Sequence, residues 1–251
     1  MLIPCHAAPY VHSVRTFRPH WLGRRAYEPV HAMQQRLQQL RIEGAIPDTL
    51  LLVEHDPVVT LGRSADGGHV VAPKEFLEAR GIAVVETERG GDVTYHGPGQ
   101  LVAYPIFSLE PDRCDVRRYV RDLVRVMSLL CADHGIGAGG RDKFIGAWVD
   151  LDRLDAWPGD EHASRPAKVG AIGVKISRWV TLHGFALNAS TRLADFDLIV
   201  PCGIREYPVT SLEALGVRDV PAVEALASRA VAHFETVFGA RAEALSTTDP
   251  V

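Results

Sequence analysis

The chain has 251 residues, of which 47% are hydrophobic and 23% are charged, so it can bury a substantial core. Its net charge of -4 argues against bulk nucleic-acid binding. No apolar run approaches the ~18 residues that span a bilayer, and residues 1–9 lack the Lys or Arg and the long apolar run of a secretory signal. We therefore expect a cytoplasmic protein without a membrane or nucleic-acid partner.

The first half of the chain alternates short apolar runs with amphipathic segments. Residues 1–10 are predicted to be a loose leader. Apolar residues at three- to four-residue spacing predict a helix over residues 27–42, which Gly44 ends. Short apolar or alternating runs predict strands over residues 11–17, 49–54, 58–61, 82–86 and 101–107, with a short helix over residues 74–80.

The second half contains the clearest helix, residues 115–134, where Arg117, Arg121 and Arg125 recur at four-residue spacing opposite an apolar face. The charged, proline-containing segment 152–166 has no apolar period and is predicted to be a surface loop. Strands are predicted over residues 144–151, 168–177 and 179–188, a helix over residues 221–238, and a mobile tail over residues 246–251.

Strands and helices alternate irregularly, and no repeat or linker divides the chain. This pattern favours a single α/β (α+β) domain with a mixed sheet flanked by helices over a regular winding of parallel strands. We expect the domain to cover residues 11–240, with residues 1–10 as a leader and residues 241–251 as a tail.

Residues 89–106 contain four glycines and two prolines among Arg, Asp, Thr, Tyr and His, and then become apolar. Glycine at this density allows a backbone to pass close to a ligand or to adopt positive φ. The polar residues have no periodic apolar partners. The stretch therefore indicates a ligand-lining loop that leads into a buried strand.

The four cysteines form no CxxC pair and no zinc-like spacing, so we expect no metal site. Cys131 lies on an apolar helix face, Cys5 lies in the leader, and Cys114 precedes a helix. Cys202 lies between a proline and a glycine, which fix the backbone and leave space around the sulfur. A nucleophile and a structural turn residue remain equally open for Cys202.

A nucleophilic thiol needs an activating group. His96 and His183 each lie beside a glycine, and Lys168 opens a strand that is otherwise apolar and rich in small residues. A desolvated amine has a lowered pKa and can take the proton of a thiol. The alternative for Lys168, a residue that only marks the start of the strand, stays open from the residues alone.

Three stretches together resemble the lipoyl(octanoyl) transferases: RGGDVTYHGPGQ at residues 89–100, KVGAIGVKISRWVTLHGFALN at residues 168–188, and VPCGI at residues 200–204. Flanking matches extend the resemblance over most of residues 11–215. It implies a fold similar to the biotin and lipoate protein ligases. Against the family pattern, residues 152–166 form a longer loop and the leader is extended.

The resemblance implies ping-pong transfer of an octanoyl group from octanoyl-acyl-carrier protein to a specific lysine of a lipoyl domain. Cys202 would carry the acyl thioester, and Lys168 would be its acid/base partner. We assign His183, with His96, a pocket-shaping role. The acyl-binding segments of the family correspond to Arg89, Gly90, Gly91, Asp92, Val93, Thr94, Tyr95, His96, Ala171, Ile172, Gly173, Gly184, Phe185 and Ala186.

Thioester exchange is nearly thermoneutral and amide formation from a thioester is downhill, so we expect neither ATP nor a metal nor another cofactor. The acceptors implied are the lipoyl domains of 2-oxoacid dehydrogenase complexes and the glycine cleavage H protein, and the default state is a monomer. The alternatives are an ATP-dependent lipoate or biotin ligase of the same fold, which needs no nucleophilic sulfur, and a binding module without activity.

Overall fold

The computed structural model describes residues 14–200 and 207–250. Within these ranges the helices are α1 (Tyr27–Ile42), α2 (Lys74–Ala79), α3 (Val116–Ala132) and α4 (Val223–Phe238). The strands are β1 (Arg15–Arg25), β2 (Asp48–His55), β3 (Val58–Leu61), β4 (Ala83–Glu86), β5 (Val93–His96), β6 (Gln100–Ile106), β7 (Ala147–Asp150), β8 (Pro166–Ser177), β9 (Val180–Asn188) and β10 (Ala240–Ala242).

The main sheet contains seven of the described strands, in the order β10-β1-β2-β6-β9-β8-β7. β1 runs parallel to β10 and β2, and the remaining neighbours are antiparallel. Strands β6 and β9 are buried along their whole length, which explains their continuous apolar character. The mixed sheet predicted from the sequence is thus confirmed.

Helices cover both faces of the main sheet. On one face α3 and α4 enclose an aromatic cluster in which the ring of Phe107 lies 5.4 Å from that of Phe238. On the other face Val30 and Leu37 of α1 pack against Leu51 and Leu182. None of the helices in the described part of the chain is long and apolar enough to cross a membrane.

Three short strands, in the order β4-β3-β5, form a separate small sheet. Its apolar side packs against Phe196 and Leu198, which belong to a 3₁₀ helix, Leu193–Leu198, that follows β9. The sequence predicts β3 and β4, whereas β5 falls within the stretch for which the sequence indicates a ligand-lining loop. The separation of these strands from the main sheet depends on pairings between distant residues. The segment that follows β3 forms backbone hydrogen bonds with residues 89–92, which directly precede β5 and are called the glycine-rich loop below.

The C-terminal residues differ from the predicted mobile tail. The boundary expected at residue 241 falls inside β10, which pairs with β1. Further along, Ser246 donates to the carbonyl of Pro19 at 3.0 Å and accepts from the amide of Trp21 at 2.8 Å. This segment covers backbone groups of β1 that would otherwise form an exposed sheet edge. The expected leader, residues 1–10, lies outside the described residues.

Some predicted strands also have different limits, and the one expected over residues 144–151 covers only Ala147–Asp150. The first strand is expected over residues 11–17, but β1 continues to Arg25 and includes the basic stretch, because its polar side chains alternate with buried ones. Residues 152–166 form a loop as predicted, with one 3₁₀ turn at Asp160–His162. A backbone hydrogen bond attaches the loop to the segment after α3, where the amide of Gly137 donates to the carbonyl of Leu154 at 2.7 Å.

Candidate active site

A cavity of about 380 Å³ lies where β8 and β9 meet the glycine-rich loop. Its lining is mostly apolar and contains several residues without bulky side chains. Lys168 and His183 line the cavity. So do all the acyl-binding residues expected from the sequence except Tyr95, namely Arg89, Gly90, Gly91, Asp92, Val93, Thr94, His96, Ala171, Ile172, Gly173, Gly184, Phe185 and Ala186.

The glycine-rich loop is held by backbone hydrogen bonds on two sides. The amide of Gly62 donates to the carbonyl of Asp92 at 3.0 Å, and the amide of Gly90 donates to the carbonyl of Val174 in β8 at 3.0 Å. A Cβ on Gly62 would lie 2.3 Å from the carbonyl oxygen of Gly91, and one on Gly173 would lie 2.8 Å from that of Gly90. Glycine is therefore required where these backbones approach each other.

A β-bulge in β8 sets the side on which Lys168 lies. Ala147 pairs with Gly170 whereas Trp148 pairs with Lys168, so Val169 is an extra residue in β8. Val169 packs in the core beneath α3 and α4, and beyond the bulge Ile172 packs against the same core. The extra residue thus reverses which side chains of β8 point to each face of the sheet. As a result, Lys168 lies on the same face as Ala171 and on the opposite face from Ile172.

The surroundings of Lys168 leave room for its side chain and fix its backbone. A Cβ on Gly146, which has φ of 148°, would lie 2.5 Å from the carbonyl oxygen of Gly170 and 2.5 Å from Cε of Lys168, so this position needs glycine. The Lys168 amine lies 5.5 Å from the ring centroid of Trp148. The Lys168 amide donates to the carbonyl of Pro208 at 2.9 Å, and its carbonyl accepts from the amide of Thr210 at 2.8 Å.

An aromatic cluster with a central guanidinium borders Lys168. Arg141 lies 4.4 Å from the ring centroid of Tyr207, 5.1 Å from that of Phe144 and 5.2 Å from that of Trp148. Asp160 of the 152–166 loop forms an ion pair with Arg141. The long loop is therefore connected through Arg141 to the ring that contacts Lys168.

His96 belongs to a buried hydrogen-bond chain. Its Nδ1 donates to Oε1 of Gln100 at 2.7 Å, the Gln100 amide donates to Oδ1 of Asn188 at 2.9 Å, and Asn188 donates to the carbonyl of Thr210 at 3.0 Å. Burial, reinforced by nearby His55, lowers the pKa of His96 to about 3. The imidazole is neutral near pH 7, which suits a structural role better than that of a base.

His183 has an unusual backbone and an unsatisfied ring. It lies within β9 with φ of 60°, a conformation that costs free energy for a residue with a side chain. The residue is 1% exposed, and neither ring nitrogen has a hydrogen-bond partner among the described residues. Burial and the proximity of His31 lower the pKa of His183 to about 3.

Two of the predicted site residues, Tyr95 and Cys202, are not among the residues that line the cavity in the described chain. Tyr95 does not line the cavity, because strand alternation in β5 turns its ring the other way, where its hydroxyl donates to Oδ2 of Asp195 at 2.8 Å. Cys202 lies outside the described residues. The described chain reaches Val200, whose amide donates to the carbonyl of His69 at 2.8 Å, and resumes at Tyr207.

Other lining residues were not identified from the sequence. They come from α1, β6, α3 and the segment before β7, elements whose closeness to the cavity depends on tertiary packing. Their apolar or aromatic character is the same as that of ordinary core positions, so the sequence offers no separate signal. The main ones are Tyr27, Val102, Tyr104, Val116, Val120 and Phe144.

Comparison with known proteins places these features in a family. The family model "Lipoyl protein ligase A/B catalytic domain" matches residues 26–235. The chain is 44% identical to an octanoyltransferase of Chloroflexus aurantiacus over 93% of this chain and 100% of that protein. It is 48% identical to an octanoyltransferase of Myxococcus xanthus over 90% of this chain, but this match spans only 60% of that relative.

Solved structures with low sequence identity confirm the fold. A bipartite lipoate protein ligase from Thermoplasma acidophilum superposes with a TM-score of 0.64 at 13% identity, covering 94% of this chain and 88% of that one. A lipoate-protein ligase A bound with ATP gives a TM-score of 0.64 at 14% identity, covering 94% and 90%. With 44% identity over nearly its whole length to a curated relative, the chain belongs to the octanoyltransferases, acyltransferases of lipoate biosynthesis within the lipoyl protein ligase A/B family.

Proposed function

We propose that this octanoyltransferase takes its octanoyl group from octanoyl-acyl-carrier protein, holds it as a thioester on Cys202, and passes it to a lysine of a lipoyl domain. Lys168 is the acid/base group for both half-reactions. The acceptors are the lipoyl domains of 2-oxoacid dehydrogenase complexes and the glycine cleavage H protein. The enzyme works as a monomer in the cytoplasm.

The observation that carries this proposal is the position of Lys168. Its side chain borders a cavity lined by Gly170, Ala171, Gly173 and Ala186, where small residues leave space for a flexible chain. Each buried CH₂ of an acyl chain contributes roughly 0.8 kcal/mol, so an octanoyl group gains several kcal/mol there. An amine beside an apolar slot is the arrangement that acyl transfer to and from a neighbouring thiol requires.

The chain on the C-terminal side of Cys202 supports the pairing of these two residues. Pro208 and Thr210, the sixth and eighth residues after Cys202, form backbone hydrogen bonds with Lys168 itself. Lys168 therefore lies beside the stretch that leads away from the Pro-Cys-Gly motif. A nucleophile and its base must come within hydrogen-bonding reach.

In the first half-reaction Lys168 accepts the proton of the Cys202 thiol, and the thiolate attacks the carbonyl carbon of the donor thioester. The C–S bond to the carrier breaks, and Lys168 returns the proton to the departing thiolate. In the second half-reaction the acceptor lysine attacks the Cys202 thioester and gives up a proton to Lys168. The C–S bond to Cys202 breaks as the amide forms, and Lys168 passes the proton to the departing Cys202 thiolate, which regenerates the thiol.

Intact-protein mass spectrometry tests the proposal. After mixing with octanoyl-acyl-carrier protein and no lipoyl domain, the wild-type chain should gain the mass of one octanoyl group, sensitive to hydroxylamine. Cys202→Ala should gain none and should not transfer. Cys131→Ala is the matched control, because Cys131 is buried in the core. This variant should still gain the mass of one octanoyl group. Acylation of Cys202→Ala under these conditions would overturn the thioester assignment.

The same assay distinguishes a transferase from an ATP-dependent ligase of the same fold. The lipoate-protein ligase with this fold is described with ATP bound, so the fold alone is compatible with adenylate chemistry. A transferase should form the adduct and the final amide without nucleotide. If octanoylation of the lipoyl domain required ATP and free octanoate, the chain would act as a ligase.

A further inference from the structure

Three side chains from separate elements meet beside the cavity: His31 of α1, Glu88 just before the glycine-rich loop, and His183 of β9. One ligand atom from each of these residues lies within 4.8 Å of the other two. Nε2 of His31 is 3.0 Å from Oε2 of Glu88, and Nε2 of His183 is 3.9 Å from the same oxygen.

The two oxygens of Glu88 have different surroundings. Oε1 accepts a hydrogen bond from the Gln35 amide at 2.9 Å and lies 3.7 Å from the amine of Lys175. Oε2 is directed at the two imidazoles. The Gln35 amide and the Lys175 amine thus orient the carboxylate through Oε1, as hydrogen-bond partners of metal ligands do, and leave Oε2 for a shared ion.

His183 supplies independent evidence for a ligand. Its ring is buried, and both of its nitrogens lack a hydrogen-bond partner in the described chain. Leaving a buried polar group without a partner costs free energy, because the group loses its hydrogen bonds to water. A bound ion would satisfy Nε2 of His183, and the strained backbone that holds the ring in place is consistent with a functional position.

We infer that His31, Glu88 and His183 bind a divalent transition-metal ion, with Zn²⁺ as the best-matched species, in the wall of the cavity. Two imidazoles and one carboxylate are a donor set that zinc takes with a fourth position open. Bonds of about 2.0–2.1 Å put tetrahedral ligand atoms roughly 3.3 Å apart, so small side-chain movements suffice here. This inference departs from the sequence-based expectation of no metal.

Another histidine–carboxylate pair provides a matched control. Nε2 of His233 lies 2.7 Å from Oδ2 of Asp133 at the surface between α4 and the end of α3. This pair has the same donor types as His31 and Glu88, but among the residues that the structure describes no third ligand atom lies close enough to complete a site. It should not hold zinc at the same concentration.

The test measures zinc affinity by competition with a chromophoric chelator. It uses the full chain without a purification tag and with Cys202→Ser, so that zinc on that thiol is not counted. His31→Asn and Glu88→Gln are compared with His233→Asn in the same background. Circular dichroism and melting curves establish that each variant is folded. Co²⁺ spectra, recorded in parallel, report a four- or five-coordinate nitrogen and oxygen site.

The parent should bind one equivalent of zinc and give the cobalt spectrum of a low-coordinate site. His31→Asn and Glu88→Gln should each lower zinc affinity by at least ~10-fold, and His233→Asn should not change it. If the parent binds no zinc, or if either His31→Asn or Glu88→Gln binds it as tightly as the parent, the inference is wrong.

Discussion

The position of Lys168 depends on one extra residue in a strand. In a regular strand, residues three apart point to opposite faces, so Lys168 and Ala171 would be separated by the sheet. The bulge at Val169 places them on the same face. The sequence identifies Lys168 as a residue of interest, but a bulge depends on the pairing with β7, which local pattern does not specify.

We expect Lys168→Ala to raise the pKa of the Cys202 thiol and to slow both half-reactions, because the proton acceptor is removed. The rate of iodoacetamide alkylation at Cys202, followed by mass spectrometry across pH, measures this pKa directly. Lys175→Ala, which removes an amine that contacts Glu88 from the same strand, should leave the alkylation profile unchanged. A profile for Lys168→Ala that coincides with wild type would exclude its role as the base.

Gly184 illustrates a residue that is needed for packing as well as for the cavity. A Cβ at this position would lie 2.1 Å from the carbonyl oxygen of Ala103 in the neighbouring strand β6. The strands would have to separate, because backbone atoms cannot rotate away as a side chain can.

Gly184→Ala should therefore lower the free energy of unfolding by about 2 kcal/mol, the typical cost of overpacking a core. Urea unfolding curves measure the change. Gly140→Ala is the control, because its Cβ would make only ordinary contacts, at 3.5 Å from Val124, and it should unfold within about 0.5 kcal/mol of wild type. Equal midpoints for the two variants would contradict the steric argument.

At the scale of elements, periodicity predicts much of the fold. The predicted limits of β3, residues 58–61, match the observed ones, and those of α1 also agree. What the sequence does not specify is which strands pair at long range: the small sheet, β10 beside β1, and the bulge in β8. These features arise from tertiary contacts that override local preference.

The 152–166 loop is an element whose role follows from its contacts. Asp160 holds Arg141, and Arg141 contacts the rings of Tyr207 and Trp148 beside Lys168. Asp160→Asn should release Arg141 and lower kcat by up to ~100-fold, because small displacements near reacting groups are costly. The KM for the carrier protein should change little.

Steady-state kinetics of Asp160→Asn, Arg141→Ala and the double variant test this connection. The two single changes should be non-additive if they act through the same ion pair. Asp155→Asn alters an exposed carboxylate of the same loop and should behave as wild type. Additive losses in the double variant would show that Asp160 acts independently of Arg141.

For the molecule as a whole, buried neutral histidines make stability depend on pH. Burial lowers the pKa of His55 to about 4, and that of His96 to about 3, from the ordinary 6.5. Above pH 6.5 neither the folded nor the unfolded chain protonates them. As the pH falls below 6.5, the unfolded chain binds protons that the folded chain does not, so stability is lost until the folded pKa is reached.

When the pH is lowered from about 7.5 to about 5, we expect the free energy of unfolding to fall by about 2 kcal/mol for each of these buried histidines. Urea unfolding at the two pH values measures the loss. His96→Gln should reduce the pH dependence, whereas His162→Asn, which changes an exposed histidine, should leave it unaltered. A wild-type protein equally stable at both values would refute the argument.

The exposed face of α3 is the surface we expect to meet the donor. Val116 and Val120 line the cavity, while Arg117, Arg121 and Arg125 of the same helix are exposed. Acyl-carrier proteins are acidic, so a basic row beside the cavity would attract the carrier and align it with the site. Because these charges are exposed, their attraction should weaken as salt is added.

Replacing all three arginines of α3 by glutamate should therefore raise the KM for octanoyl-acyl-carrier protein by ~10-fold or more at low salt, with kcat nearly unchanged. The matched control makes the same charge change elsewhere on the surface, at Arg218, Arg229 and Arg241, each of which is exposed. Because both triple variants have the same net charge, a difference between them isolates the location of the charge from its amount. Equal KM values in the two variants would mean that the carrier docks on another surface.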